Sequence, residues 1–260
     1  MYLPQLLARV DKGEKLSVLT CYDASFARLL ADNGVDVLLI GDSLGMTVQG
    51  HQSTLPVSLD NMVYHTEAVV RGAANQPFIV ADLPFGSYQK SPQQAFDSAA
   101  RLMAAGANMV KLEGGAILLD SVQFLTQRGI PVCGHLGLLP QSVNVTGYRA
   151  QGRDSQAAEQ LMQDAAALEK AGASMLVLES IPSPLAEKVT QHLRIPTIGI
   201  GAGPHCSGQV LVLHDLLGLT PKPPRFAKDF MQGAGSLAAA IRAYVEAVKA
   251  GTFPGPEHSF

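Results

Sequence analysis

Charge is scarce in this chain of 260 residues: Asp, Glu, Lys and Arg together make up 16%, and the formal net charge is −3. A broad electrostatic grip on nucleic acid needs a basic face, so none is expected. Long apolar runs are missing too. No stretch approaches the roughly 18 apolar residues that span a bilayer. The opening segment MYLPQLLARVDKGEKL is broken by Arg9, Asp11 and Lys12, where a secretory signal would carry its apolar core. The expectation is a cytoplasmic protein that contacts no membrane. Three cysteines cannot all pair, and their spacing matches no zinc module. Cys21 and Cys133 sit in apolar runs and read as buried free thiols. Cys206 lies in a glycine-rich segment, and none of the three reads as a nucleophile. Repeats, low-complexity tracts and linkers are absent as well. A single domain over residues 1–260 is therefore expected, with 47% hydrophobic residues available for its core.

What is present is an alternation. Short aliphatic runs at 17–21, 35–40, 77–82, 108–113, 131–135, 174–179, 196–200 and 210–214 predict strands, and their near-continuous hydrophobicity fits parallel strands covered on both faces. Helical patterns lie between them. SFARLLADNG (25–34) puts Phe26, Leu29 and Leu30 on one face and stops at Gly34. SPQQAFDSAARLMAAGA (91–107) opens on Ser91 and Pro92 as N-cap and first-turn residue, and 155–173 repeats that design and stops at Gly172. A last helix at 236–251 follows the eighth run. Eight βα units in this length predict a (β/α)8 TIM barrel with N- and C-terminal helical extensions. A doubly wound open sheet is the runner-up, since closure cannot be read from a sequence.

The strand exits carry the chemistry. VLLI runs into Gly41-Asp42-Ser43, FIVA into Asp82, MV into Lys111 and Glu113, PVCG into His135, and MLVL into Glu179. Side chains two apart share a face of a strand. Val80 with Asp82, Lys111 with Glu113, Cys133 with His135, and Val177 with Glu179 would each share one. If that face is the barrel interior, the polar groups converge at the C-terminal rim, where barrels of this kind place their sites. Any one of these residues alone reads as a cap, a turn former or a packed histidine; five on one rim read as a site. Asp42, Asp82 and Glu113 form a hard-oxygen set suited to Mg²⁺. A Mg²⁺ with open positions can chelate an α-keto acid and stabilise its enolate. Lys111 and His135 would then address substrate oxygens, and Glu179 is free to act as base. Other Mg²⁺ barrels fit the same pattern.

Two further segments stand out. Residues 43–61 form a long Gly-, Thr- and Pro-punctuated excursion after the second strand, readable as a substrate loop or as irregular packing. IGIGAGPHCSGQ (198–209) lacks the Gly-Lys-Ser/Thr ending of a phosphate loop and leads into a strand. It reads first as close packing, and only second as an anion cradle.

The blocks GDSLGMTVQGHQSTLPV, ADLPFGSY, GANMVKLEGG, PVCGHLGLLPQSVN and IGIGAG…GQVLVLHDLLG together resemble the ketopantoate hydroxymethyltransferase family, from about Leu16 to the PGPEHSF tail. The resemblance implies a (β/α)8 barrel in a large homo-oligomer, typically a decamer. It implies transfer of a one-carbon unit from 5,10-methylenetetrahydrofolate to 3-methyl-2-oxobutanoate, giving 2-dehydropantoate for pantothenate and coenzyme A synthesis. The family's metal-binding aspartates match Asp42 and Asp82, with Glu113 as the further acid near Mg²⁺, acting through water. Its substrate contacts match Asp42, Ser43, Asp82 and Lys111, with His135 lining the pocket, and its proton-abstracting glutamate matches Glu179. Three positions depart from the family pattern: Ser207 stands where Asp is usual, NVTGYRAQGR is one residue short, and TPKPPRFAKDF carries extra prolines. None removes a proposed catalytic group.

Competing readings are a Mg²⁺-dependent 2-keto acid aldolase or lyase of the phosphoenolpyruvate mutase/isocitrate lyase type, and a class I aldolase with Lys111 as Schiff base. The lyases of the first group are expected to carry a reactive Cys motif, which this sequence lacks. A non-enzymatic barrel with a vestigial site is a third alternative, against which the intact Asp42, Asp82, Lys111 and Glu179 count.

Overall fold

The computed structural model describes residues 1–74 and 76–260. Eight parallel strands close on themselves in sequence order. They are β1 (Leu16–Thr20), β2 (Val37–Ile40), β3 (Phe78–Asp82), β4 (Met109–Lys111), β5 (Val132–Gly137), β6 (Met175–Glu179), β7 (Thr197–Ile200) and β8 (Gly208–Leu211). Pairing of Leu16 with Gly208 and of Val18 with Val210 seals the ring, which excludes the open sheet.

The period of two sorts each strand between two apolar masses. Val18, Leu39, Phe78, Val80, Met109, Cys133, Met175, Val177, Ile198 and Val210 fill the interior. Their sequence neighbours Leu19, Leu38, Ile40, Ile79, Ala81, Val110, Leu176 and Leu178 pack outward in a second cluster with helical residues such as Leu30, Val69, Leu102 and Leu168. Strands buried on both faces need the continuous aliphatic runs seen in the sequence.

The N-terminal extension is a helix, Leu3–Val10, that closes one end of the barrel. Its Leu6 is fully buried in the interior cluster, and Arg9 reaches the buried carboxylate of Asp36 at 2.7 Å. The C-terminal helix, Leu237–Lys249, packs over the β1–β8 seam, where the Tyr244 hydroxyl lies 2.9 Å from the Val18 carbonyl and 2.8 Å from that of Gln209.

Helix starts follow side-chain capping. Ser91 accepts from the Gln94 N–H ahead of Pro92–Ala104, and Ser236 does the same for Ala239. Before Ser155–Lys170 the cap is Asp154, not Ser155, because the Asp154 carboxylate takes the Ala157 N–H. The eighth strand also departs from expectation. It runs over Gly208–Leu211 rather than 210–214, and Leu213–Leu216 turns into a short helix. All three cysteines are free and buried, as the apolar contexts of Cys21 and Cys133 predict; Cys206, whose glycine-rich context left it open, is buried too. The glycine-rich run after β7 is close packing: a side chain at Gly203 would collide with Ser183. Among the described residues, no helix is long and apolar enough to cross a membrane.

Candidate active site

Interior positions of β3 to β6 step upward from Val80 to Asp82, from Met109 to Lys111, from Cys133 to His135 and from Val177 to Glu179. Register sets them side by side: Asp82 pairs with Lys111, Lys111 with Cys133, and His135 with Val177. The backbone beyond β4 keeps hydrogen bonding to β5, from Leu112 to the Cys133 carbonyl and from Gly114 to that of His135, which holds Glu113 on the same rim. Asp42 and Ser43 follow β2. These seven residues line one cavity of about 1050 Å³.

The contacts within it are close. Lys111 Nζ lies 3.2 Å from Asp82 Oδ1 and 3.8 Å from Glu113 Oε1. His135 stands between two acids, with Nδ1 3.6 Å from Glu113 Oε1 and Nε2 3.2 Å from Glu179 Oε2, the latter without hydrogen-bond alignment. Asp82 Oδ2 accepts the Asp42 N–H at 3.1 Å, and Ser43 Oγ meets the Tyr22 hydroxyl at 2.9 Å. Ser180, directly after Glu179, holds a left-handed φ of 49°. That conformation costs a non-glycine residue about 1 kcal/mol or more. Its N–H donates to the Ile200 carbonyl and its carbonyl accepts from Gln151, which together fix the turn behind Glu179.

Burial and crowding set the protonation states. Asp42 is pushed well above the usual carboxylate range by burial, then by Asp82 and Glu113. Burial also raises Asp82, though Lys111 and the Asp42 N–H pull against it. Burial alone would lower Lys111, but Asp82, Glu113 and Asp42 outweigh it and hold the amine protonated. Burial and Lys111 would likewise lower His135; Glu113 and Glu179 overcome them and raise it. Glu113 is held below its ordinary value because its contacts with His135 and Lys111 exceed its burial penalty.

A divalent cation fits this arrangement. Asp82 Oδ1 is buried with no aligned hydrogen-bond donor, and Asp42, Asp82 and Glu113 line the same cavity. Among the described residues, no three His, Cys, Asp or Glu side chains are grouped to hold a metal by themselves. Mg²⁺ asks for less, since it takes one or two carboxylates and completes its shell with water and substrate.

Sequence reasoning passed over the residue that ties the acids together. Gln141 donates its side-chain amide to Asp42 Oδ2 at 2.8 Å and to the Leu83 carbonyl at 3.0 Å, and its backbone N–H to Glu113 Oε2 at 2.9 Å. Its own amide oxygen accepts from the Tyr88 hydroxyl at 2.6 Å. An amide inside the apolar LGLLPQSV stretch was the available signal. The outer wall of the cavity was not anticipated either: Arg149, Arg153, Lys222 and Arg225 line it.

Comparison with known proteins gives a consistent result. The family model described as ketopantoate hydroxymethyltransferase matches residues 1–256. A protein of Thiobacillus denitrificans named 3-methyl-2-oxobutanoate hydroxymethyltransferase is 63% identical over 259 residues, covering 99% of this chain and 98% of that one. One of the same name from Methylobacillus flagellatus is 62% identical over 262 residues and covers both chains fully (100% each). Among solved structures, phosphoenolpyruvate phosphomutase from Streptomyces platensis aligns with a TM-score of 0.64 at 14% identity, over 84% of this chain and 83% of that one. At that identity the likeness speaks to the barrel fold alone.

Proposed function

The chain belongs to the ketopantoate hydroxymethyltransferase family, and from that premise we propose that it transfers a hydroxymethyl group from 5,10-methylenetetrahydrofolate to 3-methyl-2-oxobutanoate, giving 2-dehydropantoate for pantothenate synthesis. The observation that carries the chemistry is the placement of Glu179 on β6, opposite the Asp42 exit of β2 in the ring order, with His135 3.2 Å away.

In this reading Asp42 and Asp82 would hold Mg²⁺, with Glu113 as the further acid beside it. The ion, when bound, supplies Lewis-acid polarisation of the keto group. Lys111 and His135 set fixed positive charge against the oxygens on which negative charge develops, and such preorganised charge is worth most in a site closed to water. Ser43 offers a hydroxyl to the substrate carboxylate. Glu179 takes the C3 proton, leaving the electron pair to the enolate. Water cleaves the donor's two methylene C–N bonds, which releases tetrahydrofolate and leaves the one-carbon unit as formaldehyde in the cavity. The enolate carbon then adds to the formaldehyde carbonyl, and its oxygen takes a proton, returned from Glu179, to become the new hydroxyl. A cytoplasmic homo-oligomer, decameric as in the family resemblance, completes the proposal.

Proton NMR of C3–H exchange in D₂O tests the enolisation step without any folate. Mg²⁺-dependent exchange confined to 3-methyl-2-oxobutanoate supports the reading. Preference for pyruvate or oxaloacetate would move the chain toward the lyase-type alternative. If there is no exchange, the same experiment with tetrahydrofolate present separates a folate-gated proton transfer from a wrong assignment.

A further inference from the structure

The acid cluster occupies only the inner end of a cavity of about 1050 Å³. That volume lies at the top of the range that encloses whole drug-sized ligands, roughly 300–1,000 Å³, and a five-carbon keto acid would leave most of it unfilled. The outer part has the opposite charge. Arg149, Arg153, Lys222 and Arg225 line it, whereas every acid on the cavity wall apart from Asp215 belongs to the inner cluster. The Asp215 carboxylate is already engaged by the Thr220 hydroxyl. Among the described residues, Arg149, Arg153 and Lys222 have no ion-pair partner. Four exposed cations at the mouth, two from the segment between β5 and β6 and two from the segment after β8, run against the chain's net charge of −3.

The segments that present these cations are anchored. The Gln151 N–H donates to the Ser180 carbonyl at the β6 exit, at 2.9 Å. Arg225 Nε donates to the Glu257 carbonyl at 3.2 Å, and its guanidinium stands 5.3 Å from the Phe260 ring centre. Phe260 is itself pinned through its carbonyl to the Ser183 N–H, at 2.8 Å. Phe226 and Phe260 converge over Gly201, where even a methyl group would come within 3.1 Å and 3.0 Å of their ring carbons. Aromatic faces beside unpaired cations suit a ligand with a flat heterocycle at one end and carboxylates at the other.

We propose that the outer half of the cavity is the subsite for the one-carbon donor, and that Arg149, Arg153, Lys222 and Arg225 hold the glutamate carboxylates of its tail, so that the protein favours donors with longer glutamate chains. The proposal rests on the hydroxymethyltransferase reading above. Each added glutamate brings one more carboxylate to the wall. Exposed ion pairs are individually weak, and three or four together amount to about tenfold in affinity.

The test is the KM for 5,10-methylenetetrahydrofolate carrying one and five glutamates, measured on the full chain at low ionic strength with saturating keto acid and Mg²⁺. The expected ratio of the two KM values is about tenfold in favour of five glutamates, shrinking as salt shortens the Debye length from about 30 Å to below 10 Å. In the double variant Arg149→Glu/Lys222→Glu the ratio collapses toward one. A control, Lys90→Ala, removes an exposed cation that does not line the cavity and keeps the ratio. Because each ratio is taken within one protein, partial loss of folding cancels. Equal KM values in the parent, or an undiminished ratio in the double variant, overturn the proposal while transfer itself proceeds. Absence of transfer from either donor, with C3 exchange also absent, overturns the reading on which it rests.

Discussion

The side-chain amide of Gln141 donates to Asp42 Oδ2 at 2.8 Å, while the backbone N–H of the same residue donates to Glu113 Oε2 at 2.9 Å. One residue thus sets the spacing of two carboxylates that repel each other, and Tyr88 in turn fixes its amide. Gln141→Glu keeps the shape but replaces the donor with a further acid beside Asp42. Exchange of the keto acid C3 proton should fall about 10- to 100-fold, by analogy with losses at groups that orient metal ligands, and the Mg²⁺ concentration for half-activity should rise. Gln141→Leu leaves the buried Asp42 carboxylate without its amide donor, while the Tyr88 hydroxyl keeps only the Glu113 backbone, and should cost about 1–3 kcal/mol of unfolding free energy in urea. A Gln141→Glu protein with parental exchange and parental Mg²⁺ dependence would remove Gln141 from this role.

Glu179 sits at 13% side-chain exposure, reachable from the cavity, with His135 Nε2 3.2 Å away. Glu179→Gln preserves size and hydrogen bonding but removes the proposed base. Turnover should fall by ~2–4 orders of magnitude, the scale of general-base catalysis. Calorimetric titration of 3-methyl-2-oxobutanoate in the presence of Mg²⁺ should still show binding. Turnover at the parental rate would assign proton removal elsewhere.

The legibility of this site in the sequence followed the strands. Asp82, Lys111, His135 and Glu179 were readable as a set because each ends its strand in an ionisable group at the same step of the two-residue period, so one choice of face brings them together; which face lies inside was not readable, since the strands are apolar on both. Gln141 was not readable, because its partner Asp42 is 99 residues away and only closure of the ring brings them together. The eighth strand was misplaced for a different reason. VLVLH continues the apolar run past Leu211, and a short buried strand cannot be told from a buried helix by periodicity alone. The cationic wall comes from segments without repeating structure, so no pattern announced it.

Lys111 decides between two chemistries. Its side chain is only 5% exposed, and its ammonium lies between Asp82 at 3.2 Å and Glu113 at 3.8 Å, which hold it protonated. A protonated amine is not a nucleophile, so treatment with keto acid and borohydride should leave the intact mass unchanged. Lys111→Met should do more than lower activity. It strands two buried carboxylates, a change that typically costs about 3–5 kcal/mol, visible as a lower urea midpoint. A borohydride-trapped adduct at Lys111 would reinstate the Schiff-base route.

The buried thiols give a pH prediction whose sign follows from their surroundings. Burial pushes Cys21 and Cys133 up to about 12 from an ordinary 9.0, and Cys206 moves in the same direction. At pH 8 a thiol with that value is ionised about a thousandfold less than an ordinary one, and the thiolate is the reactive form. Iodoacetamide labelling of Cys21 and Cys133 in the native protein at pH 8, followed by peptide mass, should therefore be slower by ~10³ than their labelling in 6 M guanidinium. The same shift makes stability depend on pH. Above pH 9 the unfolded chain releases these protons while the folded chain keeps them, so the native state binds more protons and stability falls as pH rises toward 12. Cys21 and Cys133 should each contribute a slope of about 1.4 kcal/mol per pH unit in that window and none below it. Urea unfolding of the parent and of Cys21→Ala between pH 7 and 11 isolates the contribution of one thiol. Cys21→Ala should be the less stable protein at pH 7, where it has lost buried packing, and the gap should narrow above pH 9 because the variant has no proton to lose at that position. A gap that stays constant across the range would mean that the Cys21 thiol ionises as easily in the folded protein as in the unfolded chain.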